Sequence, residues 1–110
     1  MKIGNLATMI IPKNTNTLLY EFNDDDLESC TCTVRVVNFG TSPAIIRFGF
    51  TSGTDINTYD PYEARYELLP NESLERTKIV MSLYEKIICF SDSEHTSWRV
   101  TGYEENLPLM

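Results

Sequence analysis

Apolar and polar residues alternate with a period of two along much of this chain. The segment Ser29–Asn38 is the clearest case. Its even-numbered positions from 30 to 36 hold the apolar residues Cys30, Cys32, Val34 and Val36, and the positions between them are mostly polar. A strand with one buried and one exposed face has this period, whereas a helix repeats every 3.6 residues. The pattern therefore predicts an all-β chain.

Turn-forming residues divide this pattern into about eight short strands. The strands are expected at Ala7–Ile11, Thr17–Phe22, Ser29–Asn38, Ala44–Phe50, Tyr62–Leu69, Leu74–Met81, Glu85–Phe90 and Thr96–Glu105. Strands of this length and spacing are typical of an antiparallel β-sandwich. With 110 residues, we expect one sandwich domain over 1–110, with a short N-terminal arm at 1–5 and a C-terminal tail at 106–110.

Two strand pairings are predicted from short connections. The last three strands are expected to form an antiparallel meander, because short polar breaks separate them. The turn at 39–43 is expected to join its flanking strands as a hairpin. Arg35 and Arg47 would then share the outer face of that hairpin, where a carboxylate could lie between them.

The segment that begins at Asp60 fits two structures. Asp60-Pro61 resembles a helix start, and Tyr62 and Tyr66 would share a helical face. A strand accounts for more positions, because apolar residues alternate with charged ones from Tyr62 onward until Pro70 ends the run. We favour the strand.

Composition and charge exclude several classes of partner. The chain has 9 basic and 16 acidic residues, a formal charge of −7, and no run of basic residues. This balance disfavours nucleic acid and anionic membrane surfaces, so neither is an expected partner. The polar residues that follow Lys2 do not resemble a signal peptide, and apolar runs are far shorter than a membrane span.

The three cysteines do not form a complete disulfide framework, because their number is odd. Cys30 and Cys32 face the same way on one strand and are badly placed to bond each other. We interpret them, with Cys89, as small core residues. The alternative is a disulfide between one of them and Cys89 or a neighbouring subunit.

No catalytic, cofactor or metal site is expected. His95 is the chain's single histidine and lies in a polar turn, so it lacks the partners that zinc requires. The run Asp24-Asp25-Asp26 could attract calcium, but it lacks alternating ligands and is better read as a solvated turn. Tyr59 and Tyr62, beside Asp60, could form a sugar-binding patch, an interface anchor or a core edge.

Several stretches resemble a family of small β-sandwich virion proteins of tailed bacteriophages, in the same order along the chain. The matching stretches are Asn14–Tyr20, Thr33–Asn38, Ser42–Phe48, Leu74–Thr77, Glu85–Ile88 and Trp98–Glu105. The chain departs from the family at Asn23–Asp26, where relatives have a Pro/Gly turn. It departs again at Ser82–Tyr84, which lacks a glycine, and at Trp98, which replaces a smaller aliphatic residue.

The resemblance implies a non-enzymatic, oligomer-forming component of a phage particle, assembled in the host cytoplasm. Its partners would be major capsid, neck or tail proteins and further copies of itself. A decoration or cement-like protein is favoured over a neck or tail accessory protein. Residues expected at its interfaces are those of the chain ends and the two tyrosines: Met1, Lys2, Ile3, Tyr59, Tyr62, Leu107, Leu109 and Met110.

The sequence is also compatible with two other functions. One is a host-surface glycan-binding module of the virion, which would use Tyr59, Tyr62 and the loop at 51–60. The other is a regulatory protein of phage infection, which would be absent from particles.

Overall fold

The computed structural model describes residues 3–105, and this part of the chain contains strands and no helices. The strands are β1 (Ile3–Ile10), β2 (Thr17–Glu21), β3 (Ser29–Asn38), β4 (Ala44–Thr51), β5 (Asp60–Leu68), β6 (Ser73–Met81), β7 (Lys86–Ser91) and β8 (Thr96–Glu105). The predicted all-β class is confirmed. Within these residues no helix is long and apolar enough to cross a membrane.

The strands form two antiparallel sheets of four. Sheet A has the order β1-β8-β3-β6, and sheet B has the order β2-β7-β4-β5. The pairs β1–β8, β2–β7, β3–β6 and β4–β5 describe one long hairpin whose tip is the β4–β5 connection. Rolling up this hairpin adds the pairs β3–β8 and β4–β7. The result is a jelly roll, a double-sheet sandwich, which confirms the predicted architecture.

The two strand pairings predicted from short connections were wrong. The last three strands form no meander, because β7 lies in sheet B while β6 and β8 lie in sheet A. Strands β3 and β4 are also in different sheets, so Arg35 and Arg47 lie on opposite outer faces. Alternation determines which face of a strand is buried, but many strands share that pattern, so it leaves the partner open.

The connection from β6 to β7 shows how a short segment crosses between sheets. The Tyr84 amide donates to the carbonyl of Phe22 at 2.7 Å, which ties the turn to the end of β2. Tyr84 has a φ of 67°, in the left-handed region that favours glycine. The turn therefore forms without a glycine, because Tyr84 adopts the backbone conformation that glycine favours.

The first strand starts earlier than predicted. Ile3 and Asn5 already pair with Tyr103 and Thr101 of β8, so residues 3–5 are not part of an arm. They pair because β8 continues to Glu105 and offers its edge to them. Residues 1–2 and 106–110 lie outside the described part of the chain.

Strand β5 confirms the strand interpretation of this segment, and it forms an edge of sheet B. Two register shifts against β4 interrupt its alternation. Leu68 is buried, but Tyr62 and Tyr66 remain 47% and 36% exposed. Arg76 on β6 forms an ion pair with Glu63 at 2.5 Å, which connects this edge with the edge of sheet A.

The core lies between the sheets and includes all three cysteines. Trp98 on β8 is fully buried and packs edge-on against Phe48 on β4, with ring centroids 6.1 Å apart. Cys30, Cys32 and Cys89 are buried and unbonded, as the core interpretation predicted. Burial raises the pKa of the Cys89 thiol to about 12, so it stays protonated at neutral pH.

Candidate interaction surfaces

An apolar row crosses the outer face of sheet A near the chain ends. Ile3, Tyr103, Thr31 and Val80 lie opposite one another on the four neighbouring strands. Ile3 is 74% exposed, Val80 67% and Tyr103 42%. We call these four residues the apolar row. Three of them are large and exposed, and such side chains clustered on one face of a sheet indicate a protein contact.

The local sequence explains why these side chains point outward. On β6, Ile79 and Met81 are buried, so the intervening Val80 must face solvent. On β8, Glu104 is buried, so Tyr103 faces outward in the same way. Ile3 was expected at an interface from its place near the N-terminus, whereas Val80 and Tyr103 were not expected there. In both cases the sequence has a large apolar residue at a position that the strand alternation assigns to the exposed face.

Two arginines lie side by side in the middle of the same face. Arg35 on β3 and Arg99 on β8 are direct cross-strand partners, and both are exposed. Neither forms an ion pair with a carboxylate of residues 3–105, although Glu75 lies opposite Arg35 in the register. Like charges in this position repel each other. Sheet A therefore presents a local positive centre on a chain of net charge −7.

The outer face of sheet B holds a cleft of about 370 Å³. The loop between β4 and β5 lies over this face, and Gly49 makes the close approach possible. A Cβ at Gly49 would lie 2.1 Å from the Asp60 carbonyl oxygen and 2.7 Å from the Tyr59 ring. Without a side chain at this position, the loop packs directly on the sheet and forms one wall of the cleft.

Arg47 is held in this cleft by two contacts. Its guanidinium carbon lies 3.8 Å from the centroid of the Phe90 ring, in a cation–π geometry. Its Nε donates to the Tyr59 hydroxyl at 3.0 Å. These contacts fix the guanidinium plane, which is unusual for a long side chain at a surface.

Two amide side chains complete the cleft. Asn16 Nδ2, from the connection before β2, donates to Asn57 Oδ1 in the β4–β5 loop at 3.0 Å. Asn16 Oδ1 is buried and has no hydrogen-bond partner among the described residues. A buried carbonyl oxygen without a donor is costly, by about 1–3 kcal/mol.

Tyr59 and Tyr62 do not form one patch, contrary to the sugar-binding expectation that combined them. Tyr59 lines the cleft, whereas Tyr62 stacks on Phe48 with ring centroids 5.4 Å apart. Tyr62 also packs edge-on against Phe50 at 5.5 Å. Tyr62 therefore covers the edge of the core, one of the alternatives left open for it.

A second cleft, of about 540 Å³, lies between the β3–β4 and β7–β8 connections. His95 lines it, and the His95 ring packs against Phe39 with centroids 5.5 Å apart. Among the described residues, His95 belongs to no group able to hold a metal ion; that geometry occurs at Asp24, Asp25 and Asp26. Asp24 there accepts the Asp26 amide at 3.1 Å, as in a turn.

One buried polar contact joins the two sheets. The Tyr20 hydroxyl on β2 donates to the Glu104 carboxylate on β8, and both residues are almost fully buried. Burial and this hydrogen bond raise the pKa of Tyr20 above its ordinary value of 10.0, because both favour the neutral phenol. Neither cleft includes the pair, so we assign it a structural role.

The remaining interface candidates, Met1, Lys2, Leu107, Leu109 and Met110, lie outside the described residues. They adjoin the apolar row in sequence, because Ile3 and Tyr103 are near the two ends of the described chain. No protein-family model matches this chain, and no curated protein matches it. The resemblance to phage virion proteins therefore stays a prediction.

Proposed function

We propose that this protein is a structural component of a tailed-phage virion. It would act without catalysis, through protein–protein contacts, as a capsid decoration or cement-like protein or as a neck or tail accessory protein. It would assemble in the host cytoplasm as a homo-oligomer on major capsid, neck or tail proteins.

The apolar row is the observation that supports this proposal most. Ile3, Tyr103 and Val80 would be covered by a neighbouring subunit, and the adjacent chain ends could extend across that neighbour. Jelly rolls occur in viral capsid and lectin domains, so the fold suits the proposal but does not determine it.

Mass spectrometry of purified particles tests the proposal. Many copies per particle are expected. Absence from particles would contradict a structural role and would favour the regulatory alternative.

A charge in the apolar row tests the surface itself. Val80→Glu is expected to reduce the number of incorporated copies by about tenfold or more, because the carboxylate would be buried without a partner. Leu69→Glu is the matched control. Leu69 is 46% exposed and lies just after β5, away from the row, so this variant adds the same charge elsewhere. Equal incorporation of the two variants would remove the apolar row from the proposal.

A host-surface glycan-binding module of the virion is the second candidate function. The cleft beside Tyr59 favours it, because amide, phenol and guanidinium groups converge there. The purified protein is expected to bind glycans on an array, and a substitution in the cleft is expected to reduce that binding. Silence on host envelope polysaccharides would count against this function.

A further inference from the structure

The charged side chain that lines the cleft on sheet B is opposite in sign to the net charge of the whole protein. Of the residues that line it, Arg47 is charged, and the others are amide, hydroxyl or apolar residues. The whole chain has a net charge of −7. The Arg47 guanidinium therefore favours a negatively charged group on a ligand that binds here.

Arg47 has hydrogen-bonding capacity to spare. A guanidinium has five N–H donors, and the described residues use the one at Nε. The two terminal nitrogens form the planar fork that binds a carboxylate through two parallel hydrogen bonds. Stacking on Phe90 and bonding to Tyr59 hold this fork in place before any ligand arrives.

The cleft also offers neutral hydrogen-bonding groups to a ligand. The Tyr59 hydroxyl, which accepts from Arg47, still has its own proton to donate. The Asn57 amide and the Thr58 hydroxyl also line the cleft. Sugar hydroxyl groups suit such a lining because each can donate and accept. A simple carboxylate would bind Arg47 and leave these neutral groups without a ligand partner.

We propose that this cleft binds a carboxylated saccharide, a uronic acid residue, with its carboxylate on the Arg47 guanidinium and a ring hydroxyl accepting from the Tyr59 hydroxyl. A volume of about 370 Å³ is at the small end of ligand pockets, as such a residue requires. The proposal deepens the second candidate function and rests on it. It is independent of the protein contacts of sheet A.

Calorimetric titration of the full chain tests the ligand class. Galacturonic acid, a galacturonate oligomer and uncharged galactose are the probes. Galacturonic acid should bind at least about tenfold more tightly than galactose, because galactose lacks the charged contact to Arg47. Tighter binding of the oligomer than of the monomer would indicate a polysaccharide as the natural source. Equal affinity per sugar residue would indicate the free acid.

Paired arginine variants test the site. Arg47→Met, which keeps an apolar chain over Phe90, should weaken galacturonate binding at least about tenfold. Arg35→Met removes the same charge from the outer face of sheet A and should leave binding unchanged. Arg47→Lys keeps the charge without the fork, so weaker binding by this variant would support the same site even if Arg47→Met failed to fold.

Two outcomes would overturn the proposal, and they differ in what else they affect. If galactose binds as well as galacturonate, or if Arg47→Met and Arg35→Met act alike, the acidic ligand is wrong while glycan binding survives. If no saccharide binds in the titration or on the array, the glycan-binding function fails as well.

Discussion

Sheets A and B bury similar inner faces but present different outer faces. The outer face of sheet A is bare, with the apolar row at one end and the Arg35–Arg99 pair at its centre. The outer face of sheet B is covered in part by the β4–β5 loop, which forms one wall of a cleft beside Arg47. A bare face suits a large partner, whereas a cleft suits a small ligand.

The difference arises from connection length and from a single glycine. The loop between β4 and β5 is the longest connection in the described chain, and Gly49 allows it to fold down onto its own sheet. Sheet A has no such cover within residues 3–105. Two sheets with the same alternating pattern therefore have different outer surfaces, because a connecting loop folds onto one of them and not onto the other.

The largest expected effect concerns what the two sheets share. Trp98→Ala in sheet A and Phe48→Ala in sheet B should each lower the free energy of unfolding by about 3–5 kcal/mol, because each leaves a cavity in one core. Urea unfolding measures both. The two rings touch, so the double variant should lose less than the sum. Additive losses would show that the sheets are stabilised separately.

The contact between the sheets comes next. Tyr20→Phe should destabilise the fold by about 1–3 kcal/mol, because it leaves the buried Glu104 carboxylate without its donor. Chemical unfolding at neutral pH measures this loss. Tyr84→Phe, which removes an exposed hydroxyl, is the control and should be nearly neutral.

The same tyrosine predicts the direction of pH dependence. Its pKa in the fold is above 10.0, so its contribution to stability is complete below that pH and declines as the pH rises further. Unfolding followed from pH 8 to 11, on the order of one pH unit per step, should show a shallower alkaline decline for Tyr20→Phe than for the unmodified chain. An identical decline would mean that other groups, such as Cys89, cause it.

The loop on sheet B gives a further effect of similar size. Gly49→Ala should cost about 1–3 kcal/mol, since the new methyl group would meet the Asp60 carbonyl and displace the loop. The variant should also lose the Arg47–Tyr59 contact, which amide chemical shifts of residues 52–60 would report. Gly53→Ala is the matched control, because open space surrounds that glycine apart from Thr51. Unchanged shifts in Gly49→Ala would show that the loop does not depend on this glycine.

The arginines provide the smallest and most direct comparison of the two faces. Arg99→Thr should stabilise the isolated protein by about 0.2–1 kcal/mol, because it removes a like-charge cross-strand pair. Arg47→Met should destabilise it by about 0.5–1 kcal/mol, because it removes a cation–π contact. Thermal unfolding of both variants shows whether each substitution stabilises or destabilises the protein. Changes of the same sign would mean that the two arginines have similar environments.

Much of the strand content was predictable, because a strand's buried face is visible in its own residues. Cys30, Val34 and Val36 of β3 were expected inward and are buried. The choice of strand over helix for β5 was also correct. The strand partners were not predictable, since β6, β7 and β8 share one pattern and yet alternate between the sheets.

The candidate surfaces were predictable only in part. Ile3 and Tyr59 were named from sequence and lie on the apolar row and in the cleft, respectively. Val80 and Tyr103 join the row only through the register that places them opposite Thr31. Arg47 was expected beside Arg35, but the fold places it over Phe90 on the other sheet.

The sequence alone determined that the chain is all β and which side of most strands is buried, because side-chain alternation is a local property of the backbone. The tertiary structure decided which strands are neighbours, and with them the apolar row, the arginine pair and the cleft. These features depend on contacts between residues far apart in the chain, and such contacts leave no periodic trace in the sequence.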